Sequence, residues 1–123
     1  MSPLITKAQR ARLLENGRRS ASGENIDPKP VVKLFTPDAN ATWLLTEIDP
    51  HDQDHAFGLC DLGLGFPELG WVSLNEISGL RGRLGLPVER DRCFKPIAAL
   101  SRYASAASAA GHIVESLPTG GDR

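Results

Sequence analysis

Lysine and arginine are missing from the middle of this 123-residue chain. Between Asp38 and Leu80 there is neither, yet that stretch holds eight carboxylates: Asp38, Glu47, Asp49, Asp52, Asp54, Asp61, Glu68 and Glu76. The basic residues stand in the flanks, among them Lys7, Arg10, Arg12, Arg18 and Arg19 before, and Arg81, Arg83, Arg90, Arg92, Lys95 and Arg102 after. The net charge is only -1, so no global field draws the protein to nucleic acid or membrane. Near-neutral domains usually intersperse their charges, which predicts that the flanks fold back and pair with the acidic centre. Two separate patches, one acidic and one basic, are the alternative.

Cysteine is equally sparse. Cys60 and Cys93 are the only two, with no C-x-x-C, which excludes a disulfide framework. No apolar run approaches the length of a membrane span. Arg10, Arg12 and Glu15 interrupt any signal-peptide core. A soluble, cytoplasmic protein with free thiols is the expectation. There is no internal repeat. The length predicts one domain over residues 1–123, burying roughly 65% of the surface its unfolded chain exposes.

What is present punctuates clearly. Thr6-Lys-Ala-Gln9 is a capping box, and Asn16-Gly17 reads as a stop, which predicts a helix from about Lys7 to Asn16. Residues 18–29, rich in Ser, Gly and Asn, read as a flexible linker. Val31–Thr36 and Thr42–Ile48 predict a hairpin around the turn residues Asp38-Ala39-Asn40. Ala56–Leu62 and Leu69–Leu74 predict a third and a fourth strand. Apolar residues on both of their faces predict a central, well-covered pair. Ser73-Leu-Asn-Glu76 caps a short helix expected to stop near Gly82 or Gly85, and Pro87–Asp91 can form a brief edge strand. Pro96 opens a last helix ended by Gly111, and residues 116–123 read as a frayed tail. The expected fold is α+β: an antiparallel sheet of about four strands packed against the N- and C-terminal helices.

Gly63, Gly65 and Gly70 resemble a phosphate loop at first sight. A dinucleotide fingerprint, however, needs glycine where Glu68 sits and a helix beginning there. Strand-like Leu69-Gly-Trp-Val follows instead, and a Walker loop needs a lysine that the region lacks. A β-turn is the reading, and no cofactor-binding signature remains. Asp61 is then a carboxylate in an apolar run. It either accepts the amides of the Gly63–Gly65 turn or serves, with Glu68, as the acid and base of a small hydrolase or nuclease.

Asp49, His51, Asp52, Asp54 and His55 place five potential metal ligands in seven residues. H-x-x-x-H lacks the glutamate of H-E-x-x-H, and no register fits a calcium loop. A solvated acidic loop and a metal site both stand as readings. Cys60 reads as an inert thiol within a strand. No G-x-S-x-G elbow occurs. Trp43, Trp71 and Tyr103 do not sit among cations, which argues against a stacking platform for single strands. Arg81, Arg83, Arg90 and Arg92 are the candidate contacts to a nucleic-acid backbone.

Several blocks in order now resemble a known family. They are Val31-Val-Lys-Leu-Phe-Thr-Pro, Ala41-Thr-Trp-Leu-Leu-Thr-Glu, Phe57-Gly-Leu-Cys-Asp-Leu-Gly-Leu-Gly-Phe-Pro-Glu-Leu-Gly and Val88-Glu-Arg-Asp. Leu4-Ile-Thr-Lys, Leu13-Leu-Glu-Asn-Gly and Leu100-Ser-Arg-Tyr-Ala fit as well. The chain is similar, over roughly residues 4 to 114, to a bacterial family known as domain of unknown function 2958. The resemblance implies a small stand-alone protein accompanying plasmids, conjugative elements or phage-like cargo. It transfers no catalytic role to any residue. A non-catalytic module for a protein or nucleic-acid partner is the expected function. The acidic loop Asp49–His55 is a candidate protein surface or a mimic of nucleic-acid charge.

Overall fold

A computed structural model describes residues 4–117. The elements run α1 (Lys7–Ala21), β1 (Val32–Phe35), β2 (Thr42–Ile48), β3 (His55–Asp61), β4 (Glu68–Ser73), α2 (Leu74–Gly79), β5 (Glu89–Arg90) and α3 (Leu100–Ala110). The strands form one antiparallel sheet in the order β4-β3-β2-β1-β5. The fold is α+β as expected, with five strands rather than about four. The fifth is the two-residue edge within Pro87–Asp91.

Alternation along the strands builds two cores. On one face Val32, Leu34, Trp43, Leu45, Ile48 and Ala56 meet Leu13 of α1 and Leu74 and Ile77 of α2. On the other, Leu44 and Leu59 meet Leu100, Tyr103 and Ala107 of α3. The sheet is therefore a middle layer, with the N-terminal helix on one side and the C-terminal helix on the other.

The capping box of α1 closes in both directions: the Gln9 N–H donates to Thr6 Oγ1 at 3.0 Å and the Thr6 N–H to Gln9 Oε1 at 2.9 Å. The helix then runs through the expected stop. Asn16 and Gly17 are buried inside it, and it continues to Ala21, so residues 18–21 are helix rather than linker. The reason is β2. Its pairing with β3 slips between Leu45 and Glu47, a β-bulge that leaves Thr46 unpaired. Asn16 Nδ2 donates to the freed Thr46 carbonyl at 2.9 Å. Gly17 lies so close to the strand that a Cβ there would overlap the Ile48 carbonyl. One turn on, the Ser20 hydroxyl bonds Glu47, a carboxylate whose pKa burial pushes up. Leu13, Asn16, Gly17 and Ser20 thus form one helical stripe facing β2, Asn16 bonding its backbone and Ser20 a side chain on it.

Two further boundaries move. Helix α2 starts at its Ser73 cap, with the Glu76 N–H donating to Ser73 Oγ at 3.1 Å, but it ends at Gly79. Gly82 and Gly85 belong instead to a tight loop in which the Gly82 N–H bonds the Leu86 carbonyl. Helix α3 begins at Leu100, not at Pro96, and its N-cap Ala99 has no side chain able to cap it. Asp27 serves from a distance: the Ser101 N–H donates to Asp27 Oδ1 at 3.1 Å, and the Ser101 hydroxyl bonds the same carboxylate. Gly111, at φ +83°, ends α3 as expected. Of the tail, residues 118–123 lie outside the described residues.

The helix-to-bulge contact yields a test. A mid-helix Gly→Ala change in open space gains about 1 kcal/mol. Gly17→Ala has no room and should instead lose about 1–3 kcal/mol, the usual cost of overpacking. Urea denaturation of the two proteins measures the difference.

Candidate functional site

The glycine-rich stretch after β3 is the tip of a hairpin. Gly63 and Gly65 adopt φ +81° and +90°, the left-handed region that favours glycine. The Gly63 N–H donates to Asp61 Oδ1 at 2.8 Å, and a Cβ on Gly63 would come within 2.8 Å of Asn40 Cβ. The tip is thus held against the β1–β2 turn. Held this way, it presents Leu62, Leu64 and Phe66 to solvent, with Leu64 74% and Phe66 82% exposed. The β3–β4 pair was expected to be central and covered. Instead β4 is an edge strand, and Leu69 and Trp71 on it are about half exposed. Their face is incompletely roofed because α3 reaches only part of it.

The same end of the sheet carries a second apolar tip. Asp38, in the β1–β2 turn, accepts N–H bonds from Leu84 at 2.6 Å and Leu86 at 3.3 Å, and a Cβ on Gly82 would overlap its carboxylate. Leu84 is 80% exposed, and Leu86 is exposed as well. Asn40 against one tip and Asp38 against the other bring both loops to one end of the molecule. Sequence reading marked neither tip as a surface, because leucine and phenylalanine in a patterned run read as core. The signal available was the glycine spacing: two left-handed residues two apart leave no regular strand to bury Leu64.

Asp61 and Glu68 do not form a carboxylate pair. Cross-strand partners share a face, and Glu68 is opposite Cys60. Asp61, the next residue, therefore points to the other face. Asp61 is 4% exposed, and both of its oxygens are engaged: Oδ1 by Gly63, Oδ2 by the Ile113 N–H at 2.9 Å. It clamps the hairpin to the segment after α3. The neighbouring Cys60 thiol is pushed up to about 11, first by burial and then by the Glu68 charge, so it stays protonated at neutral pH.

Beside Asp61 a cleft of about 600 Å³ is lined by Lys33, Phe35, Thr42 and His112 among others. Lys33, which sequence reading passed over, lies between Asp91 at 3.2 Å and Glu115. Burial lowers its pKa, but the hydrogen bonds and charges of Glu115 and Asp91 outweigh that, and the net shift is upward. For Asp91, burial is likewise outweighed by the Cys93 amide and by Lys33, and its pKa falls. The lone cation in an apolar strand was the signal that could have been read.

The Asp49–His55 segment forms two consecutive turns closing the β2–β3 hairpin, not a helical turn presenting His51 and His55. Its carboxylates are taken up by hydrogen bonds within the loop and, for Asp54, to the start of α2. Asp49 accepts the His51 N–H, Asp52 accepts the Asp54 N–H and contacts His55 Nδ1 at 2.7 Å, and Asp54 accepts the Ser73 hydroxyl and the Asn75 N–H. Those last two bonds hold the Asp54 pKa down. Among the described residues no group of three or more His, Cys, Asp and Glu side chains is placed to hold a metal ion. The four arginines are unequal. Arg81, Arg83 and Arg92 are exposed and Arg90 is half-buried; Arg81 Nη1 donates to the Ser78 and Leu80 carbonyls, and Arg90 Nη1 to the Leu4 carbonyl. Nor do all the flank cations fold over the acidic centre: Arg18 and Arg19 pair with Glu15 and Glu24, and Lys33 with Asp91 and Glu115.

Two outcomes follow from these bonds. Asp61→Ala leaves two amides without their acceptor and should cost about 1–3 kcal/mol in urea unfolding. Hydrogen exchange should accelerate at Gly63 and Ile113, and Asp61→Asn should lose less because it keeps one oxygen acceptor. The Lys33–Asp91 pair sets a pH window. Asp91, its folded pKa depressed, contributes stability present above the ordinary carboxylate value and lost as pH falls through the folded one. Lys33, its folded pKa raised, contributes stability present below 10.5 and lost as pH rises through the folded value. Asp91→Asn should therefore flatten part of the acid limb of a stability–pH profile, and Lys33→Met part of the alkaline limb.

No helix among the described residues is long and apolar enough to cross a membrane. No curated protein and no solved structure matches the chain. One family model does, over residues 4–114, and its description is a protein of unknown function. The chain belongs to this family, DUF2958.

Proposed function

We propose that this protein is a non-catalytic module that binds a protein partner through the apolar end of its sheet. One observation carries the reading: Leu62, Leu64 and Phe66 on one tip and Leu84 and Leu86 on the other are exposed on loops that Asp61 and Asp38 hold in place, both tips resting on the β1–β2 turn. Large apolar side chains clustered in water on a small domain mark an interaction site. Preorganised tips add to it, because little loop entropy is lost on binding. The resemblance to small bacterial proteins that travel with plasmids and other mobile elements supports an accessory role in the cytoplasm.

A protein partner is favoured over nucleic acid by charge. The hairpin tip and β4 belong to the stretch without lysine or arginine, and Glu68 flanks the tip. Two of the four candidate arginines are turned onto main-chain carbonyls. The hydrolase reading loses its support, since Asp61 and Glu68 face opposite sides of the sheet.

Affinity capture from the native host, with the wild type beside Leu64→Asp and Phe66→Asp, tests the reading. A defined protein should be retained by the wild type and reduced at least tenfold by either substitution, with circular dichroism unchanged. Capture that ignores both substitutions sinks it. Salt-dependent retention on DNA that is lost in Arg83→Glu would support the nucleic-acid reading instead.

A further inference from the structure

We infer that the open edge of β4 takes up an extended segment of the partner as a sixth strand, and that this segment alternates apolar and basic residues. The inference rests on the protein-binding reading above and names the chemistry of that partner.

The backbone phase is fixed by one bond. The Leu74 N–H donates to the Asp54 carbonyl at 2.8 Å, so Asp54 and Leu74 are a hydrogen-bonded pair in register with the β3–β4 ladder. Alternation then makes Ala56–Val72, Gly58–Gly70 and Cys60–Glu68 the bonded pairs. The N–H and C=O groups of Leu69 and Trp71 point away from β3, along an edge that no other strand among the described residues covers. Proteins normally protect such an edge with lysine, proline, a bulge or a covering loop. Within Glu68–Ser73 there is no lysine and no proline, and the register with β3 is unbroken.

The two faces of the edge specify the occupant. Toward α3 stand Leu69 and Trp71, the latter held against the Phe57 ring at 5.3 Å. Apolar side chains on an added strand would cover both. Toward the opposite face stand Glu68, Gly70 and Val72. A Cβ at Gly70 meets nothing within 4 Å, which leaves a slot beside Glu68 for the stem of a lysine or arginine. Glu76, exposed in the first turn of α2, extends the negative charge past the far end of the strand. With no cation between Asp38 and Leu80, the edge favours a basic strand and disfavours an acidic one. This is strand addition: backbone bonds supply affinity and alternate side chains supply specificity.

The probes are two peptides of about nine residues, one alternating valine with lysine and the other valine with glutamate. At low salt the basic peptide should bind at least tenfold tighter, and the preference should shrink as salt screens it. It should shield Trp71 from acrylamide quenching and slow hydrogen exchange at the Leu69 and Trp71 amides. Leu69→Lys and Glu68→Lys should each weaken it about tenfold while circular dichroism stays unchanged. Equal binding of the two peptides, or no protection at Leu69 and Trp71, overturns the inference. The host partner separates this from the broader reading. If Leu64→Asp loses that partner but Leu69→Lys keeps it, strand addition fails and protein binding stands. If neither substitution changes capture, both fail. A dimer in sedimentation that Leu69→Lys dissolves would give the edge to a second copy of the chain and overturn the basic-strand assignment.

Discussion

Aspartate carboxylates accepting main-chain N–H bonds tie this fold's loops to one another. Asp61 takes amides from Gly63, two residues on, and from Ile113, 52 residues on. Asp38 takes those of Leu84 and Leu86, Asp54 that of Asn75, and Asp27 that of Ser101 at the start of α3. A carboxylate offers about four lone-pair sites, and bonds in which the acceptor is charged are stronger than neutral ones. The interaction also explains how eight carboxylates can share a stretch without a lysine or arginine. Much of their charge is met by the partial positive charge of amides rather than by ion pairs.

This arrangement divides the molecule into a buried frame and a presented end. The frame is the sheet between two helical layers, locked on one side by the contact of Asn16 and Gly17 with the β2 bulge. The presented end is built from loops that the frame's own backbone would leave loose. Because Asp38 and Asp61 hold them, their apolar tips remain in water instead of collapsing onto the sheet. Exposed leucine and phenylalanine on fixed loops, next to the open edge of β4, are the features on which the proposed contact with another chain rests. The cleft at Lys33 lies beside this surface, and the Lys33–Glu115 pair fastens the segment after α3 to the sheet.

Much of the fold was legible because local chemistry repeats locally. Thr6 and Gln9, Ser73 and Glu76, and Gly111 carry their capping geometry within three or four residues. The run Thr42–Ile48 coincides with β2, and the other long strands differ from expectation by a residue at one or both ends. Legibility ended where a residue's partner is remote. Asn16-Gly17 has the chemistry of a helix stop, and nothing near it announces that a bulge 30 residues away will claim both side-chain positions. Pro96 could have opened α3, but the cap comes from Asp27.

For this protein the sequence by itself determined the α+β class, the number of long strands, the positions of the turns and the failure of the glycine stretch as a phosphate loop. These follow from side-chain period and backbone conformational preference, which are properties of neighbours. Only the tertiary structure decided which strand is the edge, whether Leu64 and Phe66 are core or surface, and whether Asp61 and Glu68 meet. Those depend on strand order and on which face each residue takes once paired. A period of two says that Asp61 and Cys60 point apart. The pairing of Cys60 with Glu68 is what turns that into two carboxylates on opposite sides of a sheet.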